Sequence, residues 1–514
     1  MKKILSIIFL IVIGLGFYIA TLKGISGNPH PRDFKNNLDQ ATKPFELSPE
    51  RGRYLLTYSL AENNSFSLNK ESADAAYPDV GYIDGKYYIY FAPGVSIVAL
   101  PGYLLGKSFG LAQVFSYFMV SLFAILNLIF IYLISKNVFK ISNGFALLSA
   151  ITFGFATTSW SYAVTLYQHH ISLFFILSSY YAAWKYSFSK RWYQAFYIWL
   201  SFGLSLFLDY PNAILMLPVL IYFFLSTFSI KSFARNVKIS FSLNALLTSV
   251  IFFALIFLHG YYNYVNFGSP TKLSGELTGY KSIVEAQEKQ RLTENQKTQG
   301  PILENKSALT FFSEEQLVNG ATILSFSRDR GLFLFSPVLL IGLIYMLYFY
   351  VKKRAREVAV LIALIIVNLF LYSSWGDPWG GWAYGPRYML ITMSILSIFV
   401  AVFLAQKKNL LNNILSKTLF LVLFGVSSAI ALLGVLTTNA VPPKVEADYL
   451  KMNYNYLHNF IFYERGQSSS FIFNEYLSPL ISLKNYSYLI WGLLIFIALI
   501  LLFVMPLFEK NHES

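Results

Sequence analysis

QVFSYFMVSLFAILNLIFIYLI, residues 113–134, runs for 22 positions without an acidic or basic side chain. As a helix it is roughly 33 Å long, enough to cross the about 30 Å hydrocarbon core of a bilayer. Hydrocarbon offers no partner for a backbone N–H or C=O, so such a run reads as a membrane-spanning helix that pairs its polar groups within itself. Comparable runs lie near 4–22, 142–163, 168–184, 192–208, 211–228, 239–262, 332–351, 358–374, 388–405, 418–437 and 486–507. The expected architecture is therefore all-α and polytopic, with about twelve transmembrane helices. Over all 514 residues, 55% are apolar, 13% are charged and the mean hydropathy is +0.51, which excludes a water-soluble globule.

The net charge of +14 has a topological explanation. With the N-terminus in the cytoplasm, the short cytoplasmic connections hold 18 of the 40 Lys and Arg and only three acids, Glu357, Glu509 and Glu513. The remaining 22 basic and 23 acidic residues nearly cancel. Lys and Arg resist translocation, so this bias sets the orientation, with both termini cytoplasmic in a multi-pass cell-membrane protein. The charge is no argument for a nucleic-acid partner. With no cysteine in the chain, disulfides and thiolate chemistry are excluded. The first span follows Lys2-Lys3 but is long for a signal sequence and lacks a small-residue cleavage site, so it reads as an uncleaved anchor.

Three exterior segments are too long to be simple connectors: 23–112, 263–331 and 438–485. In the first, Ser48-Pro49-Glu50 has the chemistry of a helix start, with Ser48 as N-cap, and the helix is expected to run to about Asn63. Residues 95–106 are too short to span and read as a re-entrant or interfacial helix. No further soluble domain is expected after the last span.

Four constellations carry polar chemistry. The first joins Glu50-Arg51-Gly52-Arg53-Tyr54 to Asp79 and Asp84-Gly85-Lys86-Tyr87-Tyr88. The second is Trp375-Gly376-Asp377-Pro378-Trp379-Gly380-Gly381-Trp382-Ala383-Tyr384-Gly385-Pro386-Arg387-Tyr388, where aromatic rings and glycines surround an arginine that opens a span. A charge at such a place is expensive and suggests function. The third is Tyr167-Gln168-His169-His170 with Asp209 at a neighbouring hairpin. Adjacent histidines point to different helix faces, so they cannot both ligate one metal. A divalent cation remains possible, with no ligand set assigned. The fourth comprises Asn263 to Pro270 and Gly331 to Pro337, helix ends and breakers that bracket a polar stretch, 276–316, suited to a lid or recognition loop.

An acid followed by Arg-Tyr, opening a juxtamembrane helix just after the first span, resembles the first exterior loop of the GT-C polyprenyl-phosphate-sugar glycosyltransferases. The lipid A aminoarabinose transferases and protein O-mannosyltransferases belong to that class. The stretch Pro78-Asp79 to Leu100-Pro101 and the Gly385-Pro386-Arg387-Tyr388 motif are similar to poorly characterised bacterial members. The resemblance runs over residues 1–405, leaving 406–514 as C-terminal helices with one exterior loop. It implies an inverting transferase whose donor is an undecaprenyl- or similar polyprenyl-phosphate sugar and whose acceptor is an exterior glycan, lipid or protein hydroxyl. It implies Glu50 as catalytic base, with Asp79 beside it. Relatives often carry Lys where this chain has Phe91, which leaves Lys86 as the nearest cation. Arg53, Lys86 and Arg387 are the expected phosphate ligands. Tyr54, His169, His170, Asp209, Asp377, Trp382 and Tyr384 are the expected pocket. Two alternatives share the topology, a lipid or sugar transporter and a polysaccharide polymerase or ligase. The spans carry almost no mid-membrane charge, which disfavours transport.

Overall fold

The computed structural model describes residues 2–34, 46–233, 236–280, 312, 314–406 and 410–505. Each of the twelve apolar stretches carries helix. Among the described residues, seven helices are long and apolar enough to cross a membrane unaided: Lys3–Thr21, Ala112–Asn137, Leu243–Phe267, Arg356–Ser373, Arg387–Leu404, Leu410–Leu436 and Leu483–Val504. Others are shorter or broken, such as Leu332–Phe335 followed by Leu339–Lys353, interrupted at Ser336-Pro337. The fold is thus helical and polytopic, while the number of spans shown by length alone is seven rather than twelve.

Helices within lipid gain little from hydrophobic burial against one another, so close backbone approach takes over. Gly342 illustrates this. A Cβ there would run into the carbonyl of Leu396, so glycine lets Leu339–Lys353 lie against Leu390–Leu404. Core residues lie on both sides of position 405, and Phe420, Phe424 and Leu494 join the same buried cluster as Leu10 and Leu128.

The long loops meet on one face. The expected first-loop helix is present as Ser48–Asn63, closed by Asn64 in the left-handed region (φ 50°). Its start differs from expectation. Leu47 is the N-cap, and Glu50 supplies the capping acceptor, its Oε1 receiving the backbone N–H of Leu47 at 3.1 Å and of Glu46 at 2.6 Å. Ser48 is thereby released from capping. Residues 94–108 form the helix Gly94–Ser108, which carries Pro101 and packs on Ala112–Asn137 and Ser48–Asn63.

An all-α expectation also missed a small sheet. Val80–Ile83 pairs antiparallel with Lys86–Ile89 on one side and with Thr278–Gly279 on the other, tying the first long loop to the second. The third long loop contributes Lys444–Leu450 and Tyr456–Glu464 and returns to the junction of the first span and the first loop, where the N–H of Phe471 donates to the carbonyl of Leu22 at 2.8 Å. Most of the polar stretch 276–316 lies outside the described residues.

Candidate active site

A cavity of about 550 Å³ opens among the loops. Its walls bring together five side chains from four places in the sequence: Arg53 from the first-loop helix, Asp79 from the start of the sheet, Asp209 from the hairpin after Trp192–Leu208, and Asp377 and Arg387 from the Trp-rich loop. With Glu276 from the second long loop, two guanidinium groups and four carboxyl-bearing side chains line one space.

Arg53 is fully buried. Its Nη2 donates to Oε1 of Gln168 at 2.7 Å, and its guanidinium lies 4.4 Å from the ring centre of Phe91 and 5.6 Å from that of Tyr167. Burial lowers its pKa to about 10, against the pull of Asp209. Gln168 passes the interaction on, its Nε2 donating to Oδ2 of Asp209 at 3.2 Å. Its side-chain amide accepts from the guanidinium through oxygen and donates to the carboxylate through nitrogen. Burial raises the Asp209 carboxyl to about 6, opposed mainly by Arg53. Asp79 is also pushed up by burial and held back first by its bond from the Ser48 hydroxyl, 2.6 Å long, then by Arg53 and Arg387.

Arg387 sits 5.3 Å from the ring centres of both Tyr167 and Tyr388, and its buried Nε has no hydrogen-bond partner. The loop that delivers it is closely packed. Gly380 has φ 71°, and a Cβ there would stand 2.8 Å from Nε of Arg387. Tyr388 is stacked on Tyr372 at 4.2 Å with an interplanar angle of 3°. Fully buried Arg330 pins the loop from behind, donating to the carbonyls of Trp379 (2.9 Å), Gly381 (2.9 Å) and Val441 (3.0 Å).

Several expected residues lie elsewhere. Lys86 is exposed at the turn of the sheet hairpin, because the two-residue turn Asp84-Gly85 carries it away from the cavity. It does not line the cavity, whose wall holds Phe91 packed on Arg53. Tyr54 is core, fully buried and packed against Tyr103. His170 is a structural pin, with Nε2 2.8 Å from the Ser159 carbonyl oxygen and Nδ1 3.3 Å from Nδ2 of Asn127. His169 stacks behind Tyr167 and meets Tyr388 edge-on, a second layer rather than a wall. Trp382 donates to Glu446 at 2.5 Å, and buried Tyr384 exchanges bonds with Tyr162 and donates to the carbonyl of Ile430. These two hold the loop.

Glu50 stands apart. It lines a second cavity, of about 280 Å³, with Lys23, Glu46 and residues of the third loop. Its Oε1 is taken by the helix cap, whereas its buried Oε2 has no partner. Burial, and secondly the neighbouring Glu46, raise its pKa to about 7. Among the described residues, no group of three or more His, Asp or Glu side chains is arranged to hold a metal ion. Gln168, Tyr167, Tyr388 and Arg330 were not among the expected site residues. All but Arg330 lie inside tracts already singled out, where the charged and imidazole side chains drew attention first.

No protein-family model and no curated protein matches this chain. Among solved structures it is similar to ArnT from Cupriavidus metallidurans bound to undecaprenyl phosphate, with TM-score 0.51 and 13% identity over 97% of this chain and 76% of that one. The apo form of the same ArnT gives 0.48 and 14%, over 96% and 76%. The Archaeoglobus fulgidus oligosaccharyltransferase gives 0.43 and 13%, and the match covers 87% of this chain and only 57% of that protein. The likeness to the undecaprenyl phosphate-bound ArnT structure shows that this chain shares its polytopic membrane-protein fold.

Proposed function

We propose that this chain is an inverting membrane glycosyltransferase, transferring a sugar from a polyprenyl-phosphate donor to a hydroxyl on the exterior face of the cell membrane. One observation carries the reading: Arg53 and Arg387, from loops more than three hundred residues apart, converge on one cavity at the level of the loops. Paired guanidinium groups suit a phosphate, which they bind through planar forks. Undecaprenyl phosphate is the ligand that accompanies the similar ArnT structure.

In this reading Arg53 and Arg387 hold the donor phosphate. Glu50 is the general base, since a carboxylate with one unpartnered oxygen and a pKa of about 7 is suited to accept a proton near neutral pH. Asp79 faces the donor sugar and balances the positive charge that develops at the anomeric carbon. The acceptor oxygen attacks that carbon, its proton passes to Glu50, the bond to the phosphate oxygen breaks, and polyprenyl phosphate leaves with its charge on the arginines.

Mass spectrometry of polyprenyl-phosphate sugars and envelope glycans, in cells with and without the gene, tests the reading. The expected result is accumulation of one sugar-charged lipid and loss of that sugar from a glycan, lipid or protein. Unchanged pools of both would rule it out.

A further inference from the structure

The third long loop had no assigned role from sequence, yet it forms much of the second cavity, where it faces Glu50. This cavity is enclosed from three directions: Lys23 and Glu50 from the first loop, Thr437 and Thr438 at the end of Leu410–Leu436, and Gln467 to Asn474 from the third loop.

Several of its polar groups already spend their hydrogens on neighbouring oxygens. The ammonium of Lys23 is already held by the Glu46 carboxylate at 3.1 Å and by the Thr437 carbonyl at 3.5 Å. The hydroxyl hydrogens of Thr437 and Ser468 are committed to the carbonyls of Leu433 (2.6 Å) and Leu436 (2.7 Å), and that of Ser469 to the carbonyl of Thr437. What these groups still offer is oxygen lone pairs. Together with the free Oε2 of Glu50 they make the wall rich in acceptors, while the Gln467 amide and the Thr438 hydroxyl add donors, a mixture that suits a ligand bearing hydroxyl groups. Phosphate and carboxylate ligands bring none and would meet Glu46 and Glu50. A cation would meet Lys23 on the same wall.

We propose that this second cavity binds an uncharged carbohydrate through its hydroxyl groups and is the acceptor site of the reaction. The word acceptor rests on the glycosyltransferase reading, whereas carbohydrate binding does not. Within that reading, the acceptor is a glycan rather than an anionic lipid headgroup. The first two turns of Ser48–Asn63 serve both cavities: Pro49 and Arg53 line the donor side, and Glu50 lines the acceptor side.

Saturation-transfer NMR on the full chain in nanodiscs tests the proposal. The probes are the methyl glycosides of glucose, galactose, mannose and N-acetylglucosamine, with glucose 6-phosphate as the anionic control. Undecaprenyl phosphate binding is measured on the same preparations. At least one neutral glycoside is expected to receive saturation, and glucose 6-phosphate none. Gln467→Leu and Asn474→Leu, both on the accessible third loop, are expected to abolish the glycoside signal and spare undecaprenyl phosphate binding. Arg387→Lys is expected to weaken undecaprenyl phosphate binding and spare the glycoside signal. No signal from any neutral glycoside on protein that binds undecaprenyl phosphate would overturn the cavity assignment and leave the proposed function standing. An equal signal from glucose 6-phosphate, or one that survives both leucine variants, would also overturn it. Glycoside binding without undecaprenyl phosphate binding would keep the cavity and remove the donor reading.

Discussion

Ser48 donates its hydroxyl to Asp79 across 2.6 Å, joining the first turn of the loop helix to the edge of the small sheet. The bond exists because Glu50, rather than Ser48, caps the helix. It also favours the charged form of a carboxyl that burial pushes the other way. Ser48→Ala is therefore expected to raise the Asp79 pKa further. Any step that needs ionised Asp79 then requires higher pH, so the acidic limb of the rate profile moves upward, as pH-dependent turnover would show.

Glu50→Gln keeps the shape and an acceptor oxygen for the helix cap but removes basicity. Turnover is expected to fall by about 10²–10⁴-fold, the usual contribution of a general base. In the unsubstituted protein the rate should rise as Glu50 deprotonates, with its midpoint close to the raised pKa of about 7. The variant should lose that limb. Near-normal turnover in Glu50→Gln together with loss in Asp79→Asn would transfer the base role to Asp79.

Arg387→Lys preserves charge but not the planar fork. Hydrogen bonds to charged groups contribute about 1.5–3 kcal/mol, so undecaprenyl phosphate affinity should weaken about tenfold or more while membrane insertion is unchanged. A residue that merely anchors the loop at the interface would tolerate lysine, whose stem also reaches the headgroups. Affinity measured in nanodiscs separates the two roles.

Gly380→Ala reaches the same arginine indirectly. The added methyl would stand 2.8 Å from Arg387 Nε, on a backbone with φ 71° that disfavours any Cβ. Donor affinity is expected to drop even though the guanidinium is still present. Equal affinity in the variant and the parent would show that the loop does not position Arg387 for the ligand.

Gln168→Leu removes the link between Arg53 and Asp209. It leaves a buried guanidinium short of a partner, at a cost of about 1–3 kcal/mol. The midpoint of thermal unfolding and the donor affinity should both fall, whereas Gln168→Asn, which keeps the amide but shortens it, should fall between. An unchanged midpoint would mean that the bridge contributes nothing.

Orientation is checked by cysteines in a chain that has none of its own. Asn63→Cys and Tyr449→Cys lie at exposed positions on the loop-bearing face and should react with an impermeant thiol reagent in intact spheroplasts. Asn412→Cys, exposed at the start of Leu410–Leu436, should not. The opposite pattern would place Arg53, Asp79 and Arg387 in the cytoplasm and rule out an exterior reaction.

The amino-acid sequence by itself determined the membrane class, because hydrocarbon demands long apolar helices and a run such as 113–134 has no alternative. It also pointed to the loop helix from 48 to 63, since Pro49 and Glu50 act locally, within one helical turn. Of the site, Arg53, Asp79, Asp209, Asp377 and Arg387 were legible as charges in places where charge is costly. Which of them share a space was not legible, because that depends on how helices hundreds of residues apart cross and where small residues let them touch. Only the tertiary structure sent Lys86 to solvent, made His170 and Tyr384 part of the scaffold, and set Gln168 between Arg53 and Asp209. It likewise put Glu50 on a second cavity built with the third loop. Side-chain chemistry names candidates, but a hydrogen bond of 2.7 Å is a fact about two distant backbones, and no local pattern encodes it.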